Sequence, residues 1–244
     1  MARNSLRLAA LALLLAFLLR PQSFAPLFVP LTEYGAPPIY DQGSLLALAL
    51  AQLATVCGAT AASALVAVAL AVLVTRPVGA PFLPLSRTLV NIGQTFPPVA
   101  VLAVTVPIVG FGVKPTLIAL FAYGLLPIFE NTLAGLRSCP AAVLESARGM
   151  GLDARQLLFG VELPLALPLI FEGVRLSLVI NVGTATIGST VAAKGLGEVI
   201  IAGLLSNNTA FILQGGLVTG LMAVLLYDAL VALEGRVCRT ARLD

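Results

Sequence analysis

The residues of this 244-residue chain that are equipped for chemistry are few and widely scattered. Histidine is absent, and Cys57, Cys139 and Cys238 lie too far apart for a zinc site or a disulfide framework, so they read as small apolar fillers. Neither Lys114 nor Lys194 follows a glycine, so there is no GxxxxGK[ST] loop to cradle the phosphates of ATP. Glu130, Glu172 and Asp228 map toward the ends of apolar segments, which counts against a proton relay at mid-membrane. What remains is a set of neutral amides and hydroxyls at helical spacing. Asn91, Gln94, Thr95 and Pro98 recur at i, i+3, i+4 and i+7, and Ser177, Asn181, Thr184 and Gly188 at i, i+4, i+7 and i+11, so each set lies along one helix face. Such groups are costly in hydrocarbon and must face protein or water. They are either hydrogen-bonding glue between helices or the wall of a polar pathway, and the pathway is the reading carried forward.

The elements that hold these residues are apolar. The composition is 59% hydrophobic and 10% charged, with a mean hydropathy of +1.04, which excludes a water-soluble globule. At about 1.5 Å rise per residue, roughly 20 apolar residues cross a bilayer core, so the chain has room for about six crossings and no separate soluble domain. The net charge of +3 comes without a dense basic cluster, which argues against nucleic acid. Six segments stand out: Leu6 to about Phe28, then about Ala51 to Val74, Thr88 to Val109, Pro115 to Leu136, Leu165 to Thr190 and Ala210 to Leu233. Arg20 and Pro21 interrupt the first, and Arg3 and Arg7 before Leu8 to Leu19 also resemble a signal peptide; the expectation is an uncleaved membrane helix over residues 1–33. Residues 34–244 then form the core domain. With six crossings, Arg3, Arg7, Arg76, Arg87, Arg137, Arg148, Arg155, Arg236, Arg239 and Arg242 share one side, while Arg20, Lys114 and Lys194 fall opposite. Lys and Arg concentrate in cytoplasmic loops, so both termini are expected in the cytoplasm.

One connection on that side is longer than lipid requires. Residues 137–164 carry Arg137, Glu145, Arg148, Asp153, Arg155 and Glu162. Their spacing predicts two short helices, the first capped by Ser138 with Pro140 in its first turn and ended by Gly149, the second capped by Asp153 and running to about Val161. Gly149 and Gly151 form the corner, and Glu145 and Arg148 are spaced for an i, i+3 pair. Small or apolar groups at Ala142, Val143, Ala147, Leu157, Leu158 and Val161 suit a fit into another protein's groove.

The run Glu145-Ser146-Ala147, then Gly151, then Val161, Leu163 and Pro164 resembles the EAA motif of ATP-binding cassette importer permeases, with Ser146 for the middle alanine and Val161 for isoleucine. Gly93-Gln94-Thr95-Phe96-Pro97-Pro98, Gly173-Val174-Arg175, Asn181-Val182-Gly183-Thr184-Ala185-Thr186 and Lys194-Gly195-Leu196-Gly197 resemble the permeases of osmoprotectant importers for glycine betaine, choline and related compounds. That resemblance implies an all-α integral membrane protein with the MetI-like type I importer permease fold, in the inner membrane of a bacterium. It further implies that the loop at 137–164 couples to a separate ABC ATPase subunit, that a second permease subunit, identical or paralogous, completes the pathway, and that an extracytoplasmic binding protein delivers the solute. In the family the binding protein holds the quaternary ammonium in an aromatic cage. With no Trp, and Tyr only at 34, 40, 123 and 227, this chain is poorly equipped to build one. No catalysis and no cofactor or metal are expected, and membrane lipid is the surrounding solvent. The competing readings are an ion-coupled secondary transporter of small polar solutes, which would use the same two polar stripes, and a membrane scaffold with no transport role.

Overall fold

The computed structural model describes residues 2–33 and 35–240. Tyr34 and Arg242, both named above, lie outside the described residues, as do the side chains of Arg3 and Arg239. The described elements are all helical: α1 (Ala2–Leu19), α2 (Ala25–Phe28), α3 (Leu45–Thr75), α4 (Leu83–Thr95), α5 (Pro98–Val109), α6 (Val113–Arg137), α7 (Ala141–Gly149), α8 (Ala154–Leu157), α9 (Leu163–Ala185), α10 (Gly197–Leu205) and α11 (Thr209–Thr240). Four stretches are long and apolar enough to cross a membrane, namely Leu45–Thr75, Val113–Arg137, Ala154–Val191 and Thr209–Cys238. The number rises to six if two bent pairs each count as one span.

Those bent pairs are the first and third expected segments, and proline breaks both. α1 stops at Leu19 because Arg20 precedes Pro21, and a residue before proline is pushed out of the helical region. Arg20 sits at φ −137° and ψ 61°, and the chain turns by 110° into the helical turns of Pro21–Leu31. In the GQTFPP stretch α4 ends at Thr95 and α5 begins at Pro98, with Pro97 extended at φ −57° and ψ 141°, and the helix axis turns by 96°. The expected continuous span over Thr88–Val109 is therefore two helices. The second span begins at Leu45 rather than near Ala51, since Leu45–Leu50 has no proline or glycine to hold it out of the helix.

Contacts divide the chain into two compact units of three segments each. The first comprises the residues up to Ala59, Phe96–Leu120 and Leu178–Asp228. Here Phe17 packs against Phe24 and Phe28 at ring-centroid distances of 5.3 and 5.8 Å, which braces the bend after α1. Arg7 is ion-paired with Asp228 on α11. Asn208 caps α11 by accepting from the Ala210 and Phe211 amides, and its Nδ2 donates to the Pro37 carbonyl at 2.9 Å. Gln214 donates to Pro38 O at 2.7 Å and accepts from Tyr40 N at 3.1 Å, so the segment before α3 is tied down by side-chain amides. Tyr40 stacks edge-on against Phe211, and burial, followed by the Glu198 and Asp41 carboxylates, pushes its phenol above the usual range. The short α10, absent from the six-segment reading, packs closely because a Cβ on Gly197 would stand 1.9 Å from Thr186 O.

The second unit comprises Thr60–Thr95, Phe121–Ser177 and the residues from Ala229 onward. Its apolar centre is Ala67, Ala71, Val74, Val90, Ile128, Phe129 and Leu133, all buried. Small residues let the helices approach: Cβ atoms added at Gly93 and Gly173 would fall 2.2 Å from Ala122 O and 2.8 Å from Pro127 O. Ion pairs stitch its edges. Arg87 forks onto Glu130 at 2.9 and 3.0 Å, and the buried Arg175 pairs with both Glu172 and Glu234.

Candidate functional site

Residues 137–164 lie within the second unit and form a helical hairpin. α6 ends at Arg137, and Ser138 turns its hydroxyl back to Gly135 O at 2.9 Å, so it does not cap α7 as expected. Pro140, extended at φ −60° and ψ 131°, occupies the N-cap position instead, because its fixed φ suits the entry. α7 buries Ala147 at 2% exposure and leaves Glu145, Ser146 and Arg148 exposed. The expected Glu145–Arg148 pair is not formed among the described residues: both side chains stand in the open, where pairing gains little.

The corner has a defined chemistry. Gly151 sits at φ +88°, the Leu152 amide donates to Ala147 O at 3.2 Å, and the Gly151 amide donates to Arg148 O at 2.9 Å. These two bonds form a Schellman cap, which requires a left-handed residue at the third position from the helix end, and Gly151 supplies it. Gly149 is the last helical residue rather than part of the corner. Asp153 then starts α8 as expected. Its Oδ1 accepts from the Arg155 and Gln156 amides, each at 2.8 Å, while Gln156 Oε1 accepts from Asp153 N at 2.9 Å, a complete capping box.

The second helix does not stop near Val161. α8 passes through a π turn at Leu158–Glu162 directly into α9. Pro164 explains the widening, since it has no N–H for Gly160 O and its ring would strike that carbonyl in a regular α-helix. Val161, Leu163 and Pro164 are half-buried in this transition. Glu162, 6% exposed, is ion-paired with Arg76 just past the C-terminal end of α3. Cys139 Sγ lies 3.7 Å from Gly135 O and 3.8 Å from Glu162 O, so the entrance and the exit of the hairpin are joined. At the outer end, Met150 and Phe159 are 74% and 68% exposed, and Met150, Gly151, Leu152, Gln156 and Gly160 line an open depression.

The two polar stripes have different surroundings. Asn91, Gln94 and Thr95 are exposed on α4, while Pro98 is the first residue of α5. Ser177 and Asn181 on α9 are 0% exposed, and Thr184 is half-buried with its hydroxyl on Ile180 O. Within the second unit, four successive residues of α6, Phe121 to Gly124, are met by Ser63 on α3, Gly93 and Gln94 on α4, and Ser177 on α9. Ser63 donates to Phe121 O, Gly93 closes on Ala122 O, and Gln94 donates to Tyr123 O at 3.1 Å. A Cβ on Gly124 would sit 2.7 Å from both the Ser63 and Ser177 hydroxyl oxygens. Sequence reasoning missed Gln52, 1% exposed, which donates to Val182 O at 3.0 Å and accepts from Leu196 N at 2.8 Å. A single amide in an otherwise apolar run was the available signal. The Arg76–Glu162 pair had a comparable one, a cation at the end of a span and a carboxylate inside the loop.

Residues 63–237 match the family model described as "binding-protein-dependent transport system inner membrane component". The chain is 41% identical over 172 residues to the osmoprotectant import permease protein OsmY of Salmonella typhimurium, covering 70% of this chain and 72% of that protein. It is 46% identical over 136 residues to the carnitine transport permease protein OpuCD of Listeria monocytogenes, covering 55% of this chain and 61% of the relative. It is 34% identical over 179 residues to the glycine betaine/carnitine/choline transport system permease protein OpuCB of Bacillus subtilis, covering 71% and 82%. Among solved structures, a chain of the MetNI methionine ABC transporter in inward facing conformations superimposes with a TM-score of 0.66 at 22% identity, over 79% of this chain and 93% of that one. The expected type I importer permease fold is therefore present. By sequence and by fold, the chain belongs to the binding-protein-dependent transport system inner membrane components, a family of multi-pass transport permeases and not of enzymes.

Proposed function

We propose that this chain is the permease subunit of an ATP-driven importer of osmoprotectants: glycine betaine, choline, carnitine or related quaternary ammonium compounds. The relatives named for those solutes support this reading. In it, residues 1–33 form an N-terminal transmembrane segment, residues 34–244 form the permease core, and both termini lie in the cytoplasm. A second permease subunit, identical or paralogous, completes the pathway, an extracytoplasmic binding protein delivers the solute, and a separate ABC ATPase subunit supplies the energy.

The observation that carries the reading is the hairpin. Its corner is fixed by a Schellman cap at Gly151 and a capping box at Asp153, while the exposed Met150 and Phe159 give a partner something to grip. Because α8 runs without a break into α9, a push on the corner travels along one continuous helical path from Ala154. A partner shifts a conformational equilibrium only through contacts that differ between its states, and a nucleotide-driven subunit has two such states. Glu145, Ser146, Ala147, Gly151, Val161, Leu163 and Pro164 form this coupling element. Asn91, Gln94, Thr95 and Pro98, and on α9 Ser177, Asn181 and Thr184, contribute to the pathway wall.

The test is purification in mild detergent with identification of partners, followed by radiolabelled betaine and choline uptake. Co-purification of a nucleotide-hydrolysing subunit and ATP-dependent uptake are expected. Uptake that collapses with an ionophore while ATP persists would contradict the reading.

A further inference from the structure

Gln94 is held in one orientation by a proline on the neighbouring helix. In α6 the helical donor to the Tyr123 carbonyl would be the amide four residues on, which is Pro127 and has no N–H. Gln94 Nε2 donates to that carbonyl at 3.1 Å. The amide has one donor end and one acceptor end, so committing the donor to α6 turns Oε1 away from it, on a side chain that is exposed. Beside it, the Thr95 hydroxyl donates to Ile92 O at 2.9 Å and so presents lone pairs rather than its proton. Both residues close the C-terminal end of α4, where the backbone carbonyls carry the negative end of the helix dipole. The cation two turns back, Arg87, is forked onto Glu130. This end of α4 is therefore electronegative without carrying a formal charge.

We propose that Gln94 is a specificity-determining residue, presenting its carbonyl oxygen to the passing solute and favouring solutes that carry a net positive charge. The proposal rests on the osmoprotectant reading and deepens it. A quaternary ammonium has no hydrogen-bond donor, so it gains from oxygen dipoles by charge alone, in the manner of the carbonyl-lined sites and helix C-termini of channels and carriers. A dipole attracts such a cation and still releases it, whereas a carboxylate at the same place would hold it.

The experiment uses the complete transporter in proteoliposomes, with the binding protein saturated by each solute, and reads the ratio of maximal choline uptake to maximal glycine betaine uptake. Choline carries a net positive charge and betaine none. Gln94→Lys keeps a donor for Tyr123 O but replaces the oxygen with a cation, and lowers the ratio by about tenfold. Gln94→Glu gives up the donor to Tyr123 O but keeps an oxygen there and adds a negative charge, and raises the ratio. Opposite shifts in the two variants support the proposal, because a role confined to pairing with the Tyr123 carbonyl does not change sign with side-chain charge. An unchanged ratio in both, or a shift in the same direction, overturns it. Wild-type transporter that moves neither solute speaks against the osmoprotectant reading itself.

Discussion

Arg76, just beyond the end of α3, is ion-paired with Glu162 in the π turn that leads from the hairpin into α9. Glu162 is nearly buried and Arg76 is about a third exposed, so the pair is shielded on one side only. Removing Arg76 strands a buried carboxylate. Arg76→Ala should cost about 1–3 kcal/mol, less than a fully buried pair because water still reaches the arginine. In a thermal-unfolding series in detergent, Arg76→Ala with Glu162→Ala should destabilise by clearly less than the two single losses combined. Additive losses would show that the pair does not act as a unit.

Gly151 has open space around the position of a Cβ, so crowding is not its constraint; its φ of +88° is. A β-branched residue resists that region, and a left-handed conformation costs about 1–2 kcal/mol even for ordinary residues. Gly151→Val should loosen the corner, leave membrane insertion intact and uncouple ATP hydrolysis from uptake. Hydrolysis and uptake measured on the same reconstituted sample should diverge, and unchanged uptake would refute the coupling role.

Gln52 links the end of α9 to the loop before α10 with both ends of one amide. Gln52→Leu removes the partner of the Val182 carbonyl and of the Leu196 amide, at about 1–3 kcal/mol for each group left unpaired. Gln52→Glu should restore the bond from Leu196 N but not the one to Val182 O. Both variants should melt below wild type, since the carboxyl that Gln52→Glu buries either sits ionised against the Val182 carbonyl or must hold a proton there; a melting temperature equal to the wild type's would show that the two bonds carry no stability.

Asn181 is completely buried on α9, the second residue of the second polar stripe. Asn181→Leu should slow uptake while the ATPase subunit still co-purifies in full. Unchanged uptake kinetics would assign Asn181 to interhelical hydrogen bonding alone.

Much of this architecture was legible in the residues. The long apolar runs at Leu45–Thr75 and Thr209–Cys238 needed only hydropathy, and Asp153 was legible as the cap of the second helix. The difficult places were those where proline acts through tertiary partners. Pro21 and Pro97 break the first and third segments with bends of 110° and 96°, and after α1 the packing of Phe17 on Phe24 and Phe28 holds a fold-back that local spacing cannot reveal. Ser138 looked like a cap from its type, yet Pro140 fixed the entry two residues later. The stripe periodicity runs each set past a helix end, since Pro98 belongs to α5 and Gly188 lies beyond the end of α9, and periodicity does not say what a face meets. Gln94 meets a carbonyl opposite Pro127, and Ser177 meets Gly124.

The central claim is that the hairpin is the handle by which a nucleotide-hydrolysing subunit moves this permease. The most direct test places a photo-crosslinking residue at position 150, on the exposed side of the corner, in membranes containing the whole transporter. The account predicts a crosslink to the ATPase subunit whose yield changes between ATP-bound and nucleotide-free conditions. A position 150 that reaches only lipid, or that is accessible solely from the extracytoplasmic face, would contradict it.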